Sequence, residues 1–369
     1  MKLTTSSTWG PYDIASPGVS TAGYVNNNLT FIPNLNQTPF LGNNSILPFL
    51  DKNGTLVGRC PLPSEEEIRL IRALITATKI QVNTIFSIAL FFGLPGSVFA
   101  LVTLSSMAVS PTKRYISFLA ISDFAALILA SSTIYRFAVD ADSLTSFDMM
   151  CISVSGLFQI FSHWILVLIC VERFVSVRYP FQKSRLYTTR ATFLSVGVAF
   201  IVSLVPFPLT YLCFFYDKSK SIELMVANSF LSSLIYIIIP GVLIIIFTIL
   251  TAYHVRRRKN MAPLSEQNSQ RSVTMETQLT RMMFVTVVCF AVFTFPVAFI
   301  LLVFGAILEE GSILFCHLGT IISSNICLTF AAIIYLNNAS NFYIYFSCAK
   351  GFRKQFARVI CCNKTNTRR

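Results

Sequence analysis

Seven long apolar stretches, separated by short polar segments, follow a polar amino-terminal arm. Each stretch is close to the roughly 20 residues that a helix needs to cross a hydrocarbon core of about 30 Å. Backbone polar groups inside a bilayer need internal partners, so such stretches form helices rather than open strands. The pattern predicts an all-α membrane protein, a seven-transmembrane helix bundle, with spans over residues 80–107, 115–138, 149–177, 189–212, 226–254, 279–308 and 312–346.

The arm, residues 1–79, is rich in Asn, Thr, Ser, Pro and Gly, a composition typical of disorder. Asn-x-Ser/Thr sequons within such a polar segment predict a glycosylated, extracellular arm. The bundle is assigned to residues 80–347, and residues 348–369 to an amphipathic helix and a cytoplasmic tail. The four sequons of the arm are at Asn28, Asn36, Asn43 and Asn53.

Charge is sparse and unevenly placed. The chain is 54% hydrophobic and only 12% charged, about half the charged fraction of a soluble protein. Its net charge of +13 lies in loops on one side of the predicted bundle and in the tail. Short basic loops face the cytoplasm, so the pattern predicts a multi-pass plasma-membrane protein with its amino terminus outside. The same placement favours membrane lipids, and not nucleic acid, as the partner of the basic residues.

The tail sequence GFRKQFARVICC places Phe352, Phe356 and Val359 on one helical face, with cations opposite. Such a helix lies in the membrane interface. Cys361 and Cys362 follow at a juxtamembrane position that favours palmitoylation.

Asp123 is an acidic residue in the middle of the second span. Ionisable residues at that depth are costly and are expected to have a function. One interpretation is an acid neutralised by local hydrogen bonds. The other is a cation site completed by oxygen ligands, where a sodium ion would act as an allosteric modulator; no other cofactor is expected. The candidate ligands are Asp123, Ser162, Asn337, Asn338 and Asn341.

Glu172 and Arg173 lie at the cytoplasmic end of the third span. Arg173 could extend to the interface, or it could pair with Glu172 or with Glu276 at the start of the sixth span. A pair that forms in one state and parts in another would make a two-state element. His163, in the middle of the third span, is expected to pack inside the bundle and donate to a neighbouring helix.

Several short motifs occur in a specific order. LAISD contains Asp123, Glu172-Arg173-Phe174 resembles Asp/Glu-Arg-Tyr, and Pro240 and Pro296 interrupt the fifth and sixth spans. Residues 341–345 resemble Asn-Pro-x-x-Tyr, and Phe352-Arg353 opens the last helix. Over residues 80–362 the chain therefore resembles rhodopsin-like (class A) G-protein-coupled receptors, in particular invertebrate neuropeptide receptors of the FMRFamide type.

The resemblance implies a receptor, not an enzyme, that transmits the binding of an extracellular neuropeptide to a heterotrimeric G protein, with arrestin as a further partner. The chain departs from the pattern at Gly96-Ser97 (usually Gly-Asn), at Thr294, where the family carries a toggle tryptophan, and at Phe342, where it carries proline. The activation switch implied by the motifs comprises Glu172, Arg173, Glu276, Thr294, Pro296, Asn341 and Tyr345.

Residues near the outer ends of the spans suggest how a ligand is received. Cysteines there lie in an oxidising compartment, and we predict bridges between Cys151 and Cys213 and between Cys60 and Cys316. Tyr335 stands where opsins carry their retinal lysine, and Ser155 where amine receptors carry an aspartate. An acidic rim fits a cationic peptide, although such acids could simply be solvated. The predicted rim comprises Tyr135, Arg136, Asp140, Asp142, Asp148, Ser155, Glu309 and Glu310.

Two alternatives remain open at this point. A chemosensory or orphan receptor for a small molecule would share the motifs. A channel or transporter is a different class, and the sequence lacks the internal repeats typical of duplicated transporter folds. Enzymatic motifs such as HExxH, GxSxG or a P-loop are absent from the sequence.

Overall fold

The computed structural model describes residues 47–50, 56–60, 64–138, 146–206, 230–231, 233–261, 281–300 and 317–360. Seven of the helices in this part coincide with the seven predicted spans, and a further helix follows them, which confirms the predicted seven-helix bundle with an amphipathic last helix. In chain order the helices are α1 Glu65–Ser105, α2 Pro111–Ala138, α3 Ser146–Arg178, α4 Lys183–Leu186, α5 Thr189–Leu204, α6 Ile239–Met261, α7 Arg281–Ile300, α8 His317–Cys348 and α9 Lys350–Ile360.

Five of the described helical segments are long and apolar enough to cross a membrane: Glu65–Ser105, Pro111–Ser132, Met150–Arg178, Leu234–Arg257 and Arg281–Ile300. The helix α5 is a shorter apolar helix of 16 residues. It ends just before Pro206, consistent with the restriction that a proline places on the residue before it.

The helix α1 begins at Glu65 rather than near the predicted Ile80. Ser64 explains the early start, because its hydroxyl accepts from the backbone N–H of Glu67 while the Glu67 carboxylate accepts from the backbone N–H of Ser64. This capping box satisfies two free donors of the first turn. Residues 65–79, which the sequence assigned to the disordered arm, are therefore helical.

A short antiparallel hairpin also lies within the arm. Strand β1, Leu47–Leu50, pairs with strand β2, Leu56–Cys60, and Leu47 lies opposite Cys60. The intervening sequence contains Asn53-Gly54, a dipeptide that favours hairpin turns. The prediction of a disordered arm was thus wrong for residues 65–79 and for the two strands of the hairpin.

The bundle is closed by tight packing of α1 against α8 and α2. Gly93 is the point of closest approach: a Cβ atom there would lie 2.5 Å from the Leu127 side chain and 3.0 Å from the Ala339 Cβ atom. The helix α3 runs through the centre and contacts α2, α5 and α6. The largest apolar core surrounds its carboxyl-terminal half.

The helix α9 is attached to the bundle by a phenylalanine cluster comprising Phe99, Phe342, Phe346, Phe352 and Phe356. The Phe342 ring lies 5.5 Å from Phe356 and 5.9 Å from Phe352, measured between ring centroids. Gly96 leaves room for this ring, because a Cβ atom there would lie 3.3 Å from the Phe342 Cβ atom. The two departures at Gly96-Ser97 and Phe342 thus lie side by side.

Candidate functional site

The Asp123 carboxylate connects three helices in the middle of the bundle. It is 1% exposed. Ser162 of α3 donates to its Oδ1 and Asn341 of α8 donates to its Oδ2, both at 2.7 Å. Both oxygens are therefore satisfied, as a buried polar group requires. Hydrogen bonds thus join three of the five predicted cation ligands.

A cavity of about 10 Å³ adjoins Asp123 and is also lined by Asn338 and Tyr345. That space is enough for one water-sized sphere. The Asn338 side chain is 2% exposed, and neither its oxygen nor its nitrogen has a hydrogen-bond partner among the described residues. Asn337 is also buried, but it is not among the residues that line this cavity. A carboxylate beside an unpaired amide oxygen is a donor set that suits a small hard cation.

Glu172, near the carboxyl end of α3, is fully buried and has two cationic neighbours. The Arg173 Nε atom lies 3.3 Å from its Oε2 atom, and the Lys183 Nζ atom lies 2.9 Å from its Oε1 atom. The Arg173 contact is an ion pair without hydrogen-bond geometry at Nε. The Ser176 hydroxyl shares its one hydrogen between the Glu172 backbone carbonyl, at 2.6 Å, and Oε1, at 3.0 Å. Compensation by both charges and hydrogen bonds is what makes a buried carboxylate tolerable.

Thr112 connects this pair to α2. Its hydroxyl donates to the Glu172 Oε2 atom at 2.9 Å and accepts from the Arg173 Nη2 atom at 2.6 Å. A hydroxyl has one hydrogen and two lone pairs, so it can play both parts. Arg173 is thereby directed towards α2. Thr112 was not predicted from the sequence, because it is an uncharged residue that follows the proline at the start of the helix.

Lys183 belongs to the short helix α4, in the loop between α3 and α5. From the sequence alone, Lys183 is one of the cations in the basic loops that set the predicted orientation. The same loop ends at Tyr187, which is half-buried, and burial raises the pKa of its phenol well above the ordinary value, with smaller contributions from Tyr115 and Glu172. The loop therefore packs against the bundle instead of extending into solvent.

His163 connects α3 to the π-helical turn before α6 and to α7. Pro240 has no N–H, so the Tyr236 carbonyl four residues earlier lacks the donor that an α-helix would supply, and it lies within a π-helical turn at Leu234–Ile238. His163 Nδ1 lies 3.0 Å from that carbonyl oxygen, so we assign the proton to Nδ1. The His163 ring also stacks on the Tyr236 ring and meets Phe290 of α7 edge to face. The prediction that His163 donates to a neighbouring helix is confirmed.

A second polar network surrounds the amino-terminal half of α3. Ser155 donates to the Ala126 carbonyl of α2 at 2.8 Å, so Tyr335 of α8, at 3.2 Å, donates to Ser155. Gln159, one turn along α3, accepts from the Tyr236 hydroxyl. Its Nε2 atom is buried and has no acceptor within the described part of the chain. Gln159 and Tyr236 were not singled out from the sequence.

The exposure of three residues of the predicted ligand rim is known. Ser155 is fully buried, because its hydroxyl is used inside the bundle as described above. Asp148 is 1% exposed, so it is not a solvated acid. It lies in the first turn of α3, where the helix dipole stabilises an acid. Tyr135 is 69% exposed. That these residues receive a ligand stays a prediction.

Of the remaining predicted switch residues, three lie in the described part of the chain and one does not. Thr294 of α7 is fully buried and its hydroxyl has no partner within the described segments. Tyr345 is buried and lines the cavity beside Asp123. Pro296 lies inside α7, two residues after Thr294, while Glu276 lies outside the described residues.

Cys151 is buried and forms no disulfide with any residue that the structure describes. Its predicted partner Cys213 lies outside those residues, and so does Cys316, the predicted partner of Cys60. The bridges therefore stay predictions. Further predicted residues outside the described part are Asn28, Asn36, Asn43, Asn53, Asp140, Asp142, Glu309, Glu310, Cys361 and Cys362, and the side chain of Arg136 is likewise not described.

Comparison with known families agrees with this geometry. The chain matches the family described as 7 transmembrane receptor (rhodopsin family) over residues 96–345, more than half of its length. No curated protein matches the chain. The matched region contains Asp123, Arg173, Pro296 and Tyr345. The chain belongs to the rhodopsin family of seven-transmembrane receptors, a family of non-enzymatic signalling receptors.

Proposed function

We propose that this receptor lies in the plasma membrane with its amino terminus outside, binds an extracellular peptide and couples to a heterotrimeric G protein. Arg173 is the observation that carries the proposal. Its side chain is only 14% exposed and is held by the Glu172 carboxylate and the neutral hydroxyl of Thr112. A restraint of a few hydrogen bonds and an ion pair can be broken by a ligand that favours another state.

The surface around Arg173 suits a cytoplasmic partner. Tyr179, Phe181 and Leu186 lie in the loop that follows α3, and the Phe181 side chain is 96% exposed. Apolar side chains in a polar surround mark a contact for another protein. Arrestin would use the same surface. Described cations at this end of the helices are Lys113, Arg114, Arg178, Lys183, Arg185, Arg190, Arg256, Arg257, Lys350, Arg353, Lys354 and Arg358.

A peptide ligand is supported by the long arm with its sequons and by the acids Asp140, Asp142, Glu309 and Glu310 near the outer ends of the spans. A small molecule is the second candidate. It is favoured by the unsatisfied Gln159 amide, which a compact ligand that enters the bundle could reach with a carbonyl oxygen. The family assignment gives no support to a channel or transporter.

The experiment is a screen of amidated peptides and of small molecules on cells that express the chain, with calcium and cyclic AMP as readouts. Arg173→Gln, compared at matched surface expression, is the control. We expect a peptide to give a response that is lost in Arg173→Gln while binding is kept. A response that persists in the variant would contradict coupling through Arg173, and a response to small molecules alone would favour the second candidate.

We also propose that sodium binds beside Asp123, held by Asp123, Asn338 and Asn341, the three predicted ligands that line the cavity. Asn338 supplies an unpaired buried oxygen, and the cavity has room for one small ion. A ligand that binds only the folded state raises stability with its concentration. Replacing potassium chloride by sodium chloride should therefore raise the Tm of the purified receptor, and Asp123→Asn should remove the difference. Equal Tm values of the wild type in the two salts would contradict the proposal.

A further inference from the structure

The Glu172 carboxylate is compensated separately at its two oxygens. Arg173 and the Thr112 hydroxyl contact Oε2, whereas Lys183 and the Ser176 hydroxyl contact Oε1. The two sets come from different places in the chain, since Thr112 lies on α2 and Lys183 on α4. Removing the contacts of one oxygen therefore leaves those of the other intact.

If Arg173 moves away from Glu172, the buried carboxylate needs another counter-ion. Glu172 has no exposed surface, and a buried carboxylate that loses its only counter-ion is strongly destabilising. Arg173 could then not turn towards a partner without a large cost. Glu172, however, keeps a second cation at 2.9 Å.

We propose that Lys183 is the counter-ion that keeps Glu172 compensated when Arg173 turns away, which lowers the cost of switching; its role in signalling rests on the proposed coupling to a G protein. Lys183 suits this role because it is one-third exposed and so loses little hydration by staying in place. Its helix is held in position by the half-buried Tyr187. Lys183 is thus a positioning residue that acts on Arg173 through Glu172.

A thermal double-mutant cycle tests the compensation without any G protein. Arg173→Gln imitates the state in which the arginine charge has left the pair. Lys183→Gln should lower the Tm of the purified receptor by about 2 °C in the wild type and by about 5 °C or more in the Arg173→Gln background. Lys183→Arg should keep the Tm in both backgrounds.

Two controls separate this effect from a general loss of structure. Arg185→Gln removes an exposed cation from the same short helix and should not move the Tm in either background. In a Glu172→Gln background, where no carboxylate needs compensation, Lys183→Gln should have no effect. Equal Tm shifts in the wild-type and Arg173→Gln backgrounds would overturn the proposal.

A second measurement tests the consequence for signalling. Lys183→Gln in nanodiscs should weaken the affinity for a nucleotide-free heterotrimeric G protein by about fivefold, the low end of typical coupling between sites. Tighter binding would instead make Lys183 part of the resting restraint and overturn the proposal. If the thermal cycle behaves as expected but the wild type binds no G protein of any class, the compensation stands and the proposed function fails.

Discussion

At the scale of single residues, the hydroxyl of Thr112 determines where Arg173 points. It is the one group that contacts both members of the Glu172–Arg173 pair from another helix among the described residues. A hydrogen bond to an ionised group contributes about 1.5–3 kcal/mol net, an amount that the differential affinity of a ligand for another state can supply. The arginine is thus oriented by Thr112 and charge-balanced by Glu172.

Thr112→Val should therefore raise ligand-free signalling several-fold, because it removes the acceptor for the Arg173 guanidinium and keeps the side-chain shape. Thr112→Ser keeps the hydroxyl and should behave as wild type. Basal cyclic AMP and calcium signals, normalised to surface expression, measure the effect. Wild-type output from Thr112→Val would show that the hydroxyl does not bias the switch.

The sequence pointed to charged residues more readily than to their neutral partners. Asp123, Glu172 and Arg173 stand out because charges in a membrane span are rare. Thr112 and Gln159 do not, since threonine and glutamine occur in any helix and their roles depend on which helix lies opposite. Lys183 was noticed as a charge, but its short helix and its distance from Glu172 exist only in the folded chain.

At the scale of elements, the π-helical turn before α6 is stabilised by a neighbour. Pro240 removes a donor from the Tyr236 carbonyl, and His163 supplies one. His163→Phe keeps an aromatic ring beside Tyr236 and Phe290 but leaves the carbonyl unpaired. It should cost about 1–3 kcal/mol, seen as a lower Tm.

The double variant tests this explanation of the π-helical turn. In a Pro240→Ala background residue 240 regains its N–H, so His163→Phe should cost clearly less than in the wild type. An equal cost in the two backgrounds would mean that ring packing, and not the freed carbonyl, explains the effect of His163.

The packing of α1 on α2 and α8 requires a residue without a side chain at Gly93. A Cβ atom there would meet Leu127, whose side chain can adjust, but also the Ala339 Cβ and Cα atoms at 3.0 and 3.2 Å, which cannot. Gly93→Ala should lower the stability by about 1–3 kcal/mol, despite the higher helix propensity of alanine. Gly156→Ala is the matched control, because nothing lies within 4 Å of its Cβ position, and its Tm should stay level or rise. Equal shifts would contradict the close approach.

The sequence predicted the apolar face of helix α9 but not the residues against which that face packs. The sequence placed Phe352, Phe356 and Val359 on one face, and Phe352 is buried while the other two are half-buried. It gave no indication that this face meets Phe342, the residue in place of the family's proline. Nor did it indicate that Gln355 donates to the Ser106 backbone and side-chain oxygens at the end of α1.

At the scale of the whole molecule, activation requires helices to move relative to one another. The sequence predicts that Glu276, at the start of the sixth span, restrains Arg173 across the bundle. An exposed ion pair contributes at most about 1 kcal/mol, so Glu276→Ala should raise basal signalling several-fold at matched surface expression. If Thr112→Val raises it and Glu276→Ala does not, the resting restraint lies on α2, away from the moving helix.

The helix α1 has 41 residues, so it is about 60 Å long, twice the thickness of a hydrocarbon core of about 30 Å. Its lower end is fixed by Gln355 of α9 at Ser106. In the proposed orientation the part of α1 that exceeds the hydrocarbon core extends outside the cell, and the arm is attached to its outer end at Ser64. Each residue removed from this outer part of α1 would bring the attachment point about 1.5 Å closer to the membrane and rotate it by about 100° about the helix axis. Steps of seven or eleven residues, which leave the attachment rotated by only about 20°, would change the height of the arm while nearly keeping the direction in which it leaves the receptor.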